Sequence, residues 1–558
     1  MSPGASSEPH AAPPSSQGDI APIESPPSVL PGTSHSLARG ALRMALARGA
    51  ALCVLPLMLL AFSPKEIVDD AYISYRHAWN LLHGHGLVYN AVERVEGFTN
   101  LLWTLISAIP LAVGIRVDLF CSILGGILAA TAVLRSWRFL VKLRVPEYAA
   151  WGAALLVALF PGYYVNAVNG LEAGLFSLLL VETAGAVLTR RQPLVPALLG
   201  GLLFTTRPES AALLPLCVIF RFLVDRSQSD DMRWIKRDVL RMALGWGAII
   251  GAVTAGRLLF YGHPLPNSVA AKAVNLTNVP ELLWNARYGA IYLRGFFLTN
   301  PLLVVLSVLG LIATPRALWA WLGGLTAIGA ALLILLQGGD WMLHFRLLTM
   351  YAPFMMFPAA AGLSFLGGRL QRMKANLRPV AGLAMAAAAG FGLFVGASQV
   401  YFFPNMQWEL GQPAKAYEII ARALRGGLQQ GDVVAGEGIG MLGIELPETY
   451  VHDFLGLTDE HLAHHGTLRD IYGRRDYVYT AREVRPAVYV VHSGFFHLSR
   501  FREGFEGDFN ATYETYDVLR PQGATTHQMM VSLRSDVAER LRPLLGSLQP
   551  ERATIPPP

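Results

Sequence analysis

Charge is what this chain of 558 residues has least of: Asp, Glu, Lys and Arg make up 15% of it, where a soluble domain carries roughly 25%. Hydrophobic residues make up 53%, and the mean hydropathy is +0.39. The pair of values excludes a disordered scaffold, argues against a cytosolic enzyme or a nucleic-acid-binding module, and points to a membrane protein. Cysteine is nearly absent. The three present, Cys53, Cys121 and Cys217, all fall in apolar runs, so no disulfide framework or zinc site is suggested and they read as small core residues. The net charge of +6 is too small for a polyanion binder, and no nucleic acid is expected as a partner. Its distribution is more informative: residues 1–400 hold 30 basic and 19 acidic residues, whereas 401–558 hold 15 and 20.

What is abundant is apolar sequence at membrane-span spacing. Residues 1–38, rich in Pro, Ser, Gly and Ala, read as a disordered cytoplasmic tail. The first apolar run, 44–62, follows Arg39, Arg43 and Arg48 and reads as a signal anchor with the N-terminus in the cytoplasm. Further runs lie at 99–116, 118–134, 148–164, 174–189, 194–206, 210–224, 242–260, 297–314, 317–336, 347–366 and 379–400. Several are shorter than the ~20 residues of a straight span. Basic clusters at 135–144, 190–191, 221–241 and 369–378 mark cytoplasmic loops. The loops at 64–98, 169–174, 207–209, 264–272 and 338–346 then face outward, as does everything after about 400. An odd number of crossings is needed between 98 and 135, where two runs lie, so one of them does not cross and the expected count is about eleven. From 401 the chain regains charge, and a period-2 stretch at 487–492 alternates with a helix-like one at 414–425. A soluble, exported α/β domain is expected over 401–558. The expected fold class is therefore a polytopic α-helical membrane protein, residues 39–400, with a C-terminal α/β domain.

The densest polar text outside the spans is Val68-Asp69-Asp70-Ala71-Tyr72-Ile73-Ser74-Tyr75-Arg76-His77-Ala78-Trp79-Asn80. Apolar and aromatic residues at 72, 75, 79 and 82 recur at helical spacing, which predicts an amphipathic helix lying along the membrane surface. Asp70, just ahead of it, fits an N-cap. Capping accounts for one acid and not for two at the mouth of a span, where ionisable groups are costly and usually functional. Asp69 is the expected catalytic residue. His83 and His85, two apart beside Glu93 and Glu96, have the chemistry of metal ligands, but Gly84 and Gly86 make a flexible turn and no further ligand spacing stands out, so a surface turn is the preferred reading and a divalent cation the alternative as cofactor. Asn169 to Glu172, Thr206-Arg207-Pro208-Glu209, Pro264 to Ser268 with Lys272, and Gly338 to Met342 with His344 and Arg346 place carboxylates and cations at the outer ends of spans. Such a set suits an anionic lipid phosphate and a sugar hydroxyl: cations hold the leaving phosphate while a carboxylate takes the acceptor proton. In the C-terminal region His452, Asp453, His461, His464 and His465 cluster, with His461 and His465 one helical turn apart. That spacing suits zinc or a plain surface helix, and no H-E-x-x-H pattern is present.

The string Asp69-Asp70-Ala71-Tyr72 through His85-Gly86-Leu87-Val88 and Arg94 to Thr99 resembles the first external loop of GT-C glycosyltransferases, specifically the family of the mycobacterial terminal β-(1→2) arabinofuranosyltransferase. Asn169 to Glu172, Arg207-Pro208-Glu209, the stretch ending at Lys272, Gly338 to Met342, and Asp453-Phe454-Leu455-Gly456-Leu457-Thr458-Asp459 resemble its landmarks in the same order. The resemblance implies a multi-pass enzyme of the bacterial inner membrane that uses a polyprenyl-phosphate sugar donor and a cell-envelope glycan acceptor. It makes Asp69 the base and Asp70 a supporting acid. Arg346, Lys272, Arg207, Asp340, Glu172 and Arg76 become the expected donor phosphate and sugar ligands. The rival readings are a lipid-linked glycan flippase, though no internal repeat is seen, and a non-catalytic assembly protein.

Overall fold

The computed structural model describes residues 67–189, 191–227, 235–397, 404–469, 472–492, 494–505, 507–518, 529–548 and 550–553. The expected tail at 1–38 and the first apolar run at 44–62 lie outside them. Each of the other expected runs coincides with helix. In chain order these are α1 (Asp69–Leu82), α2 (Leu101–Ala112), α3 (Val117–Lys142), α4 (Glu147–Ala158), α5 (Pro161–Val168), α6 (Ala173–Leu188), α7 (Leu194–Thr206), α8 (Leu213–Ser227), α9 (Leu240–Tyr261), α10 (Asn267–Lys272), α11 (Val279–Thr299), α12 (Pro301–Ala313), α13 (Leu318–Gln337), α14 (Arg346–Thr349), α15 (Ala352–Arg372), α16 (Arg378–Ala397) and α17 (Pro404–Arg425).

Two of the apolar runs are broken. The run at 148–164 bends by 55° between α4 and α5, and the run at 297–314 straddles a 97° bend between α11 and α12. Each bend sits just before a proline, Pro161 or Pro301, at the start of the second helix, where its missing N–H is harmless but the preceding residue is pushed out of the helical region. Among the described residues three helices are long and apolar enough to cross a membrane, or up to five if each bent pair is one span. By length and composition alone this falls short of the expected eleven, since α2, α6 and α7 are apolar but shorter.

Glycine sets the closest helix crossings. A Cβ on Gly174 of α6 would overlap the Gly125 carbonyl of α3, and a Cβ on Gly125 would overlap the Ala167 carbonyl of α5. A second crossing pairs Gly310 of α12 with Gly362 of α15. Small residues permit this approach of backbones where lipid offers no hydrophobic drive.

After α17 comes a six-stranded mixed sheet of order β2-β1-β5-β7-β6-β8. Its strands are β1 (Val433–Gly436), β2 (Tyr450–Asp453), β5 (Val488–Val491), β6 (Tyr513–Val518), β7 (Met529–Arg534) and β8 (Glu551–Ala553); β3 (Leu468–Arg469) and β4 (Arg474–Arg475) form a separate hairpin. β2, β1 and β5 run parallel, and β5, β7, β6 and β8 antiparallel. β5 is buried along its whole length, which fits its continuous apolar sequence. Between these strands run α18 (Ile439–Glu445) and α19 (Glu460–His465), and after β7 comes α20 (Ser535–Leu545). The described residues pack as one unit.

α1 is the junction of the two halves, and here the structure departs from expectation. Its N-cap is Val68, not Asp70, so both acids lie in the first helical turn. Rather than lying along a surface, α1 is buried at nine of its positions, Arg76 and His77 included. The face that looks polar in the sequence is covered by residues of the far C-terminal half. Burial pushes His77 down to about 4 against its bonds to the Ile73 and Val95 carbonyls, so it is neutral and packs edge-on to Phe98 at 4.8 Å.

Candidate active site

The two acids diverge because consecutive helical residues point about 100° apart. The Asp69 carboxylate accepts hydrogen bonds from the backbone N–H of Gly440 and of Met441, both at 2.8 Å, at the first turn of α18. Seven residues on, and so on the same face, the buried Arg76 donates to the carbonyls of Gly443, Leu446 and Thr449, at the end of α18 and beyond it. A carboxyl group thus sits at the start of α18 and a cation at its end; the helix dipole favours both charges, but at Asp69 burial outweighs it. Arg76 also donates to the Tyr89 carbonyl at 2.6 Å. Its donors are committed to these carbonyls and to the Asn90 side chain. The structure therefore does not bring Arg76 into the cavity with the other expected phosphate and sugar ligands.

Asp70 faces the other way, into a cavity of about 390 Å³. Its walls include Glu172 and Arg207, Lys272 at the end of α10, and Asp340 and Arg346 on the segment after α13. Asp69 is not among the lining residues. Arg207 pairs with Glu172 at 2.5 Å and with Glu209 at 2.5 Å, and Arg346 with Asp340 at 2.9 Å. Asn100, which sequence reasoning passed over, links α1 to this set: it donates to Glu172 at 2.7 Å and accepts from Ser74 at 3.0 Å. Ser268 lines the cavity with its hydroxyl buried and without a hydrogen-bond partner among the described residues. Leu171, Val269, Leu333 and Leu336 give the cavity an apolar side.

The segment that delivers Arg346 is conformationally unusual. Gly338 and Gly339 have φ of 91° and 95°, and His344 and Phe345 reach 61° and 58°. Non-glycine residues in that region are uncommon and cluster where a site over-determines the backbone. Phe345 is wedged beside Gly295 and packs edge-on to Tyr292 at 5.2 Å, while the Tyr292 hydroxyl accepts from the Leu347 N–H at 3.1 Å.

Electrostatics follow from the burial. Burial raises the Asp70 carboxyl above its ordinary value although Lys272 and Arg346 pull it down. Burial lowers Lys272 against the pull of Asp70 and Asp340. For Glu172 burial works upward, but Arg207, Arg346 and the Asn100 bond outweigh it and hold it low. Burial takes Asp69 up to about 7 in spite of its two amide bonds. The cavity thus combines one carboxyl, Asp70, raised towards taking a proton, one, Glu172, held as an anion, and cations around them.

The histidines expected as alternative ligands lie elsewhere. His83 stacks on Trp79 at 3.7 Å, and His461 stacks on Tyr479 at 3.9 Å. Among the described residues no group of three or more His, Cys, Asp or Glu is placed to hold a metal ion. Glu96 is buried and makes a two-pronged ion pair with Arg257. Asp453 accepts from the N–H of Leu455 and of Thr458, both at 2.9 Å, and so shapes the turn of its own motif.

The chain resembles a mycobacterial transferase. It is 27% identical over 340 residues to the terminal β-(1→2)-arabinofuranosyltransferase of Mycobacterium tuberculosis, covering 53% of this chain and 52% of the other. The chain thus spans about half the length of the curated relative it matches. The resemblance read from the loop motifs is found independently by this comparison. No protein-family model matches. The chain also aligns with crystal structures of ArnT from Cupriavidus metallidurans, in the apo state and bound to undecaprenyl phosphate. The TM-scores are 0.49 and 0.48 at 16% and 15% identity, over 90% of this chain and 99% of the other.

Proposed function

We propose that this chain is a membrane-embedded glycosyltransferase that moves a sugar, arabinofuranose-like by analogy with its relative, from a polyprenyl-phosphate carrier to a hydroxyl of a cell-envelope glycan. The observation that carries this reading is the cavity in which Asp70 meets Lys272, Arg346 and Arg207 beside an apolar wall. In the proposed step the acceptor O–H gives its proton to the Asp70 carboxylate as its oxygen bonds to the anomeric carbon. The bond from that carbon to phosphate breaks, and its electron pair stays on the phosphate. Lys272, Arg346 and Arg207 offset the charge that develops there. Leu171, Val269, Leu333 and Leu336 offer the carrier chain an apolar surface. Asp70 rather than Asp69 is the base in this scheme, because Asp69 is engaged by two amides outside the cavity; Asp69 fixes α1 and thereby aims Asp70.

The reading also assigns the chain to the bacterial inner membrane, with the N-terminus cytoplasmic and residues 39–400 as the spanning part. The cavity and residues 401–558 would then face outward. Reconstituted protein, given radiolabelled polyprenyl-phosphate pentoses and hexoses and an oligosaccharide acceptor, tests it. Asp70→Asn, folded as the parent, is expected to lose 10²- to 10⁴-fold in transfer, the usual weight of a general base. A native rate in that variant removes Asp70 as base. Movement of label across the bilayer with no new glycosidic bond would favour a flippase.

A further inference from the structure

A second hollow, outside the cavity just described, is an open groove of about 560 Å³ lined by Glu93, His263, Tyr450, Asp459, His461 and Tyr479, with three neighbouring residues of α19. Among the described residues no Lys or Arg lines it, whereas the cavity has three such residues; its polar groups are carboxylates, phenols and imidazoles. Its chemistry is that of a sugar site. The His461 and Tyr479 rings stack on one another, nearly parallel at 3.9 Å, which fixes both rings and leaves the outer face of the pair for a ligand. Glu93 is held by Asn90 at 2.8 Å and by the Tyr450 hydroxyl at 3.2 Å, which leaves carboxylate lone pairs for a diol. Sugars present apolar C–H faces to flat rings and hydroxyl edges to carboxylates, and an open groove suits a chain passing through better than a small enclosed ligand.

The groove and the cavity share a wall. Three segments line both: Glu93 in the groove with Gly97 in the cavity, His263 with Ser268, and Asp459 with Leu457. Asn267 fastens them together. Its N–H donates to the Glu96 carbonyl at 3.0 Å. Its side-chain amide donates to the carbonyls of Gly456 at 3.2 Å and of Leu457 and Asp459 at 3.1 Å each. Two residues of chain reach about 7 Å at most, so the step from Asp459 to Leu457 is short on the scale of an oligosaccharide.

We propose that this groove is a carbohydrate subsite which holds the sugar units of the acceptor behind the one that reacts at Asp70. The proposal rests on the glycosyltransferase reading for the word acceptor, but not for the binding itself. The test uses the full chain in detergent and a fluorescent linear oligo-arabinofuranoside without lipid, with an oligo-hexoside as the comparison probe. Wild type should bind at least one probe. Tyr479→Leu and Glu93→Gln should each weaken binding about tenfold, and Tyr479→Phe, which keeps the ring, should restore it. In the transfer assay the acceptor KM should rise far more than kcat falls, with the donor KM unmoved. Binding of neither probe by wild type, or native binding by both folded variants, overturns the groove and leaves the transferase reading standing. Probe binding that the variants weaken, in a wild-type protein that forms no glycosidic bond, would keep the groove and remove the transferase.

Discussion

At the scale of single residues, Asp70 and Lys272 form the pair whose coupling has a measurable sign. A base works only when ionised, so transfer should rise with pH through the Asp70 ionisation, which burial has moved above the ordinary carboxylate range. Lys272 opposes that rise. Lys272→Met therefore moves the acid limb of the transfer profile to higher pH and weakens donor binding; an unmoved limb would separate the two residues. Asp69 makes a different prediction. Its carboxyl stands at about 7 in the folded protein against an ordinary 3.8. A raised carboxyl contributes stability that is complete below about pH 4 and is lost as pH rises through 7, by roughly 4 kcal/mol at most. Thermal unfolding of wild type should lose stability over that window relative to Asp69→Asn, which has nothing to ionise there; parallel profiles would refute it. That an acidic pair stood at this point was legible in the sequence. Which member faced the cavity was not, because the 100° turn between neighbours has a direction only once α18 is in place.

At the scale of elements, α1 grips α18 by both ends, and the fit is close. A Cβ on Gly440 would overlap the Asp69 carbonyl, and one on Gly443 would overlap the Tyr89 hydroxyl. Gly440→Ala must push α18 away from α1, which strains or breaks the two amide bonds to Asp69. The expected cost is about 1–3 kcal/mol, typical of overpacking, together with a loss of transfer from the displaced Asp70. Gly185→Ala, with nothing within 4 Å of the added atom, should leave both unchanged. Helices themselves were largely legible, since apolar runs such as 194–206 coincide with α7. Their breaks were less so. The run at 297–314 reads as one span, but Pro301 turns the chain by 97° there, and α11 begins at Val279, well before the run, on a stretch too mixed in polarity to be marked as apolar.

At the scale of the molecule, the C-terminal half does not complete its own core. Ile73 of α1 and Tyr89 of the following loop are buried in the cluster formed by Tyr417, Ile420, Val434, Leu442, Val488 and Val531. The Tyr89 hydroxyl donates to the Ile439 carbonyl at 2.6 Å, and Asn90 exchanges bonds with Val451 at 3.1 Å. Hydrogen bonds between residues 350 and 361 positions apart leave no local periodicity to read, which is why the ties of residues 401–558 to α1 and the loop after it are not legible in the sequence. Burying one large apolar side chain is worth roughly 1.5–3 kcal/mol, so the fragment 401–558 expressed alone should be several kcal/mol less stable than the same region within the whole chain. A peptide of residues 67–100 added in excess should bind the fragment and raise its unfolding midpoint. The same peptide carrying Arg76→Ala should raise it less, because the carbonyls at the end of α18 then lack their cation. Equal midpoints with and without peptide would mean that the two halves touch without depending on one another, and that Asp70 is aimed by the helical half alone.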